Sequence, residues 1–204
     1  MAIINHGKKE ICLKIVYWGT GLGGKTENVI QLSRIFGCPE PVTLNTEKGR
    51  TLFFDFSPIE KTLSNGYKVR FSIFTTPGQV IYAGARKLLL EGVDGIAFIA
   101  DSQEKRHESN IISMEELISE LEKRKLSLEE IPLVVQYNKR DLPNILPVEI
   151  LRRDLNPLCY PDFEAIAVKG IGVKETFNEI AKLTLKTAIE KYLSSCKKSK
   201  IILP

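Results

Sequence analysis

Cysteine is sparse in this chain, four residues in 204. Cys12, Cys38, Cys159 and Cys196 show neither paired metal-ligand spacing nor the density of a disulfide framework. Reduced thiols in a cytosolic protein are therefore expected. No apolar run approaches the roughly 20 residues needed to cross a bilayer. Residues 1–10 lack the apolar core of a secretion signal, and Cys196 is not placed four from the end as a prenylation box requires. The domain body also lacks an excess of charge of one sign. The net charge is +4, and residues 186–204 alone carry Lys186, Lys191, Lys197, Lys198 and Lys200 against Glu190. The balanced remainder argues against a nucleic-acid-binding face. It leaves polyanion attraction to the tail, where a few lysines give at most weak membrane contact. No repeat, low-complexity tract or linker divides the sequence. One domain over 1–193 followed by a basic tail at 194–204 is expected.

What is present is an alternation of short apolar runs with amphipathic stretches, the pattern of an α/β sheet covered on both faces. Strands are predicted at 11–18, 51–56, 69–75, 93–100, 131–137 and 163–168, and residues 1–5 can add an edge strand. Asn65-Gly66 is a strong turn dipeptide that predicts a hairpin between the second and third of these strands. Helices are predicted at 26–36, 104–124, 147–155 and 173–193. In the second, Ile111, Met114, Leu117, Ile118 and Leu121 form one stripe. Residues 37–50 hold two prolines, two glycines and little apolar periodicity, and read as a loop.

Gly19-Thr20-Gly21-Leu22-Gly23-Gly24-Lys25-Thr26 fits G-x-x-x-x-G-K-[ST] between a buried strand and a helix. Backbone N–H groups that turn inward around phosphate oxygens need the conformations and close approaches glycine permits. The helix N-terminus adds partial positive charge. Lys25 supplies a point charge to the β- and γ-phosphates, and the Thr26 hydroxyl is placed to ligate Mg²⁺. ATPases and kinases share this motif, so by itself it leaves the nucleotide open.

Asn138-Lys139-Arg140-Asp141 follows the strand at 131–137, at the carboxyl end where ligands sit in open α/β sheets. It resembles the N-K-x-D guanine box of Ras-like GTPases. A carboxylate at Asp141 can accept from guanine N1–H and the 2-amino group, a donor pair adenine lacks. Lys139 can lay its aliphatic stem along the base, and Asn138 can tie the loops together. Ala167-Val168-Lys169 falls where Ras-like proteins carry Ser-Ala-Lys. The match implies a base contact from the Val168 amide, with Lys169 beside it.

Thr75-Thr76-Pro77-Gly78-Gln79 stands where Ras-like GTPases read Asp-x-x-Gly-Gln. Gly78 would meet the γ-phosphate and Gln79 would orient the attacking water. Thr75 replaces the aspartate associated with Mg²⁺. This departure, with Lys14-Ile15-Val16-Tyr17, the glycine loop, the run from Arg50 to Phe56, Pro77-Gly78-Gln79-Val80, Arg86-Lys87-Leu88, Gly92-Val93-Asp94-Gly95, Ala100-Asp101-Ser102-Gln103 and the run from Gln136 to Pro143, resembles the MglA (mutual gliding protein A) group of prokaryotic small GTPases. The likeness covers nearly the whole chain.

That resemblance implies a three-layer P-loop NTPase (Ras-like) α/β fold whose sheet is mostly parallel with one antiparallel strand. It implies a cytoplasmic GTP/GDP switch that sets cell polarity and motility, is recruited to a cell pole and engages polar effector proteins in the GTP form. An MglB-like roadblock homodimer stimulates hydrolysis without supplying an arginine. Arg50 and Gln79 match the group's own catalytic switch residues, and Thr51 its threonine near Mg²⁺. Arg50, Gln79 and Lys25 are then the catalytic residues, with Mg²⁺ held by Thr26 and Thr51. Asp55 either substitutes for the missing aspartate through water or is a boundary carboxylate of its strand. Glu27 departs from the group's second threonine. A non-hydrolysing GTP-dependent adaptor and an ATP-using kinase are the competing readings.

Overall fold

The computed structural model describes residues 2–5, 7–39, 42–45, 51–63, 66–76 and 88–200, with backbone alone at 42–45, 51–61 and 195–200. Eight strands form a single sheet: β1 (Ile3–Asn5), β2 (Glu10–Trp18), β3 (Val42–Asn45), β4 (Thr51–Thr62), β5 (Lys68–Thr75), β6 (Gly95–Asp101), β7 (Leu133–Asn138) and β8 (Asp162–Glu164). The order is β3-β4-β5-β2-β6-β7-β8, with β1 paired to β2. From β5 to β8 every pairing is parallel. The antiparallel strand expected from the hairpin is β4, and short β1 adds a second. Among the described residues the faces are covered by α1 (Lys25–Phe36), α2 (His107–Glu122), α3 (Val148–Leu155) and α4 (Val173–Lys200).

Strand β2 shows why the sheet is covered on both sides. Side chains alternate across a strand. Ile11, Leu13, Ile15 and Tyr17 enter one core with Val29 and Leu32 of α1 and Phe177 and Ile180 of α4. Val16 and Trp18 enter the other with Met114, Leu117 and Leu121 of α2 and Leu151 of α3. The buried Trp18 indole donates Nε1–H to the Ser113 carbonyl at 2.9 Å, so its polar atom is satisfied inside the apolar layer. Strands β6 and β7 are buried along their whole length. That is the signature of central parallel strands covered by helices.

Several boundaries differ from the sequence expectation. Residues 37–50 do not form a continuous loop, because Val42–Asn45 pairs antiparallel with β4. An edge strand needs one partner only, so a short segment beside prolines still pairs. Strand β8 stops at Glu164, and 167–169 form a 3-10 turn rather than continuing the strand. The chain bends back there through Gly172 at φ 73°, where an added Cβ would strike the Glu164 carbonyl. Residues 104–106 are likewise a 3-10 turn ahead of α2. Helix α4 runs past residue 193 to Lys200, since no Gly or Pro interrupts 173–200. Asn65 of the predicted turn lies outside the described residues, while its neighbour Gly66 sits at φ 81° between the paired β4 and β5. Among the described residues no helix is long and apolar enough to cross a membrane.

Candidate functional site

The carboxyl ends of β2, β5, β6 and β7 lie side by side, with Tyr17 opposite Thr75 and Asp101 opposite Asn138. The loops that leave these ends share one edge of the sheet, and the described residues predicted for the site lie on them, on the first turn of α1, on the 167–169 turn after β8 and, for the Thr51 backbone, at the start of β4.

Gly19 to Thr26 forms the turn from β2 into α1. Gly19 has φ 142°, and a Cβ there would strike the Ile99 carbonyl. Gly24 has φ 97°, and its Cβ would strike the Asn138 amide nitrogen. Both positions need glycine for conformation and space together. Leu22 adopts a left-handed φ of 63° without being glycine and is 81 % exposed. The loop's carbonyls are taken up by side chains. Buried Lys25 donates Nζ–H to the Gly19 and Thr20 carbonyls, each at 2.7 Å. Asn138 Nδ2 donates to the Gly23 carbonyl at 2.9 Å. Arg106 donates to Thr20 Oγ1 at 2.6 Å and to the Gly21 carbonyl at 2.7 Å. The Gly23 amide donates back to the Thr20 carbonyl at 3.2 Å. Those of Gly21, Leu22 and Gly24 have no acceptor among the described residues. Free N–H groups on a tight loop at a helix N-terminus form a concavity for an anion.

Asn138 also accepts from the Ala167 amide at 2.9 Å through Oδ1. One buried side chain thus ties the glycine loop, β7 and the 167–169 turn together. Lys139 does not point its charge into the base region. Its Nζ pairs with buried Asp101 at 2.7 Å, and the same carboxylate accepts from Gln103 N–H at 3.1 Å. Arg140 is drawn away to Glu164 at 2.9 Å and to the Leu146 carbonyl at 2.8 Å. Asp141 is different. No hydrogen-bond donor among the described residues reaches its half-exposed carboxylate, and Lys169 Nζ stands off at 3.7 Å. Val168 is 65 % exposed, and its amide has no acceptor among the described residues. An acceptor carboxylate and a free N–H converge on the same edge, as a base carrying both donors and an acceptor requires.

Beneath this edge, Asn28 and Gln136 exchange two amide hydrogen bonds at 2.9 Å. Gln136 Nε2 donates further to Thr176 Oγ1 at 2.9 Å. All three residues are fully buried, and a fully satisfied polar chain of this kind fixes the positions of α1, β7 and α4. On the outer side, β8 is pinned to α3 by Arg152 and Asp162 at 2.7 Å. The Arg152 hydrogen bond holds the Asp162 carboxyl below its ordinary range. Burial pushes the neighbouring Tyr137 phenol above its ordinary range, so it stays a neutral donor to Asp162.

Thr75, in the place of the Ras-like aspartate, is 1 % exposed, and its Oγ1 has no partner among the described residues. Thr76 donates its hydroxyl to the Tyr17 carbonyl at 3.3 Å. Glu27 accepts from Gln31 Nε2 at 2.8 Å. Arg50, Gly78 and Gln79 lie outside the described residues, as do the side chains of Thr51 and Asp55, although the backbones of those two belong to β4. The sequence reading did not single out Arg106 or the Asn28–Gln136–Thr176 chain. Arg106 reads as one more cation on the polar side of an amphipathic helix. Asp101 entered only within a resembling tetrapeptide. An aspartate ending a fully apolar strand was its available signal.

Phosphates and base would each meet atoms of the polarity they need, along one edge of a doubly covered parallel sheet, and this is the organisation of a Ras-like small GTPase. The chain is 46% identical over 188 residues to the mutual gliding-motility protein MglA of Myxococcus xanthus (strain DK1622), covering 91% of this chain and 96% of that protein. At that identity and coverage, the chain belongs to the MglA family of small GTPases. No family model matches the chain.

Proposed function

We propose that this chain is a GTP-hydrolysing GTP/GDP switch acting in cell polarity and in gliding motility, the process named in its relative. The observation that carries the guanine-nucleotide part is the pairing of free loop amides at Gly21, Leu22 and Gly24 with an open carboxylate at Asp141. The family resemblance at Arg50 and Gln79 supports the hydrolytic part. In this reading Gln79 orients a water for attack on the γ-phosphate. Lys25 and Arg50 stabilise the charge that spreads over its oxygens, an arginine so placed being worth about 10³ to 10⁵ in rate. Gly78 contacts the γ-phosphate through its amide.

The oxygen donors suit a hard cation. Thr26 stands in the first turn of α1, and Thr75 keeps a buried hydroxyl without a partner among the described residues. Among the described residues no three His, Cys, Asp or Glu converge on one point. Thr26 and Thr51 would hold Mg²⁺, which when bound neutralises charge on the β- and γ-phosphates. An MglB-like roadblock homodimer is the activating partner in this reading, and polar effector proteins recognise the GTP form.

Thr75 favours a second reading, a GTP-dependent adaptor that recruits effectors without hydrolysis. Single-turnover phosphate release from the GTP-loaded protein, with and without a roadblock-type homodimer, separates the two. Release accelerated by the homodimer is expected. A complete lack of release in both conditions overturns hydrolysis and leaves the adaptor.

A further inference from the structure

Arg106 closes the 3-10 turn Glu104–Arg106 between β6 and α2. The turn is anchored from several directions. Gln103 N–H donates to Asp101, Gln103 bridges to Ile145, and Glu104 N–H donates to the Asn144 carbonyl at 3.0 Å. A guanidinium carried by so fixed a turn has little freedom to relocate. It spans to the glycine loop and takes the Thr20 hydroxyl and the Gly21 carbonyl together.

Two observations show that this is more than a surface contact. First, no carboxylate among the described residues lies within ion-pair distance of Arg106, and it has no further partner. A half-buried charge ordinarily acquires a counter-charge. Arg106 instead faces a loop built for anions. Second, the peptide between Gly21 and Leu22 is trans and planar, so its C=O and N–H point in opposite directions. Holding the Gly21 carbonyl therefore aims the Leu22 N–H away from Arg106. That amide is among the unpartnered ones, and Leu22 is the loop residue kept in a left-handed conformation without being glycine. Such strain persists only where surrounding contacts over-determine it.

We propose that Arg106 is a positioning residue of the phosphate site: its Nη2 group, donating to both Thr20 Oγ1 and the Gly21 carbonyl, fixes the Gly21–Leu22 peptide with the Leu22 amide turned toward the nucleotide's phosphate chain. This rests on the guanine-nucleotide reading above. The turn that carries Arg106 is built on Asp101, which also holds Lys139 of the base box. Base and phosphate ends thereby share one support.

The experiment measures dissociation of fluorescent GDP and competition by GMP for the parent, R106A and R106K. R106A releases GDP roughly tenfold faster, the range of a charge-assisted hydrogen bond. The ratio of GDP to GMP affinity falls by about the same factor, because GMP uses fewer of the loop's amides. R106K recovers part of the loss, since an ammonium keeps the charge and several N–H donors on one nitrogen but sits on a flexible stem without the guanidinium's fixed plane. Unchanged GDP release in R106A overturns the proposal. So does an equal loss for GDP and GMP, which would mean general loosening of the fold. A parent protein that binds neither nucleotide overturns the guanine-nucleotide reading, and this proposal with it.

Discussion

At the phosphate end of the site, Lys25, Arg106 and Asn138 donate to the carbonyls of Gly19, Thr20, Gly21 and Gly23. Those carbonyls are consumed, while among the described residues the Gly21, Leu22 and Gly24 amides keep no acceptor. At the base end the opposite groups are consumed. Lys139 is paired with Asp101, Arg140 with Glu164, and Lys169 stands too far from Asp141 to donate. There the acceptor remains. A phosphate needs donors and a guanine edge needs a carboxylate, so each end is prepared by internal hydrogen bonds that remove the wrong polarity. The protein meets the cost of ordering these groups before a ligand arrives, which is what preorganisation means in free-energy terms.

The largest predicted effect breaks the base end alone. D141N should lower GDP affinity by about 10² to 10⁴, the loss of two charge-assisted hydrogen bonds, and should shift preference toward xanthosine diphosphate, whose 2-oxo group needs a donor. Competition binding with the two diphosphates checks this, and unchanged selectivity would return the ATP-using kinase to contention. The next effect crosses both ends. N138A strands the Gly23 carbonyl and the Ala167 amide, which Asn138 now satisfies, at about 1–3 kcal/mol for each buried group left unpaired. Denaturant unfolding should show the loss of stability. Nucleotide exchange should show GDP and GMP weakened together, in contrast to the selective loss expected for R106A.

Much of this was legible in the amino-acid sequence, for reasons that are local. The glycine loop announces itself because Gly19 and Gly24 need left-handed φ and lack of a Cβ at fixed spacing from Lys25. Strand β2 announces itself by its density of Ile, Val and aromatic residues over 11–18. What was illegible depends on distant partners. Val42–Asn45 is a strand only because β4 lies beside it. Arg106 meets Thr20 across 86 positions of chain, and Asn28 meets Gln136 across 108. No periodicity encodes such pairings. The opposite fates of Asp101 and Asp141 were hidden for the same reason, since one carboxylate is identical to another until its donors are known.

A smaller effect sharpens the comparison from outside the site. Asp162 pins β8, which leads into the 165–169 loop of the base end. Its carboxyl is held below the ordinary value by the Arg152 hydrogen bond. A depressed folded pKa gives stability that is present above the unfolded carboxyl value near 4. That stability is lost as pH falls through the folded value. With Arg152 half exposed, the contribution is about 1 kcal/mol or less. D162N should therefore be slightly less stable than the parent in urea at neutral pH, and the difference should shrink once both are acidified well below pH 4. Phosphate-end behaviour, read as the GDP to GMP affinity ratio, should not change.

The smallest effect concerns Thr75, on the phosphate side of the site. Thr75 Oγ1 is buried and has no partner among the described residues, and an unpaired buried hydroxyl is unfavourable. Valine has nearly the same shape and is equally at home in a strand. If the orphan hydroxyl were only a packing residue, T75V would match or exceed the parent in stability and leave nucleotide retention alone. The logic of this end, where atoms without internal partners face the ligand, gives a different expectation. T75V should keep or gain up to about 1 kcal/mol in stability without nucleotide and metal, yet need a severalfold higher Mg²⁺ concentration to retain GTP. Urea unfolding of the nucleotide-free protein and a Mg²⁺ titration of GTP release read the two halves separately. A gain in stability with an unchanged Mg²⁺ requirement would make Thr75 a packing residue and confine the phosphate-end rule to the glycine loop.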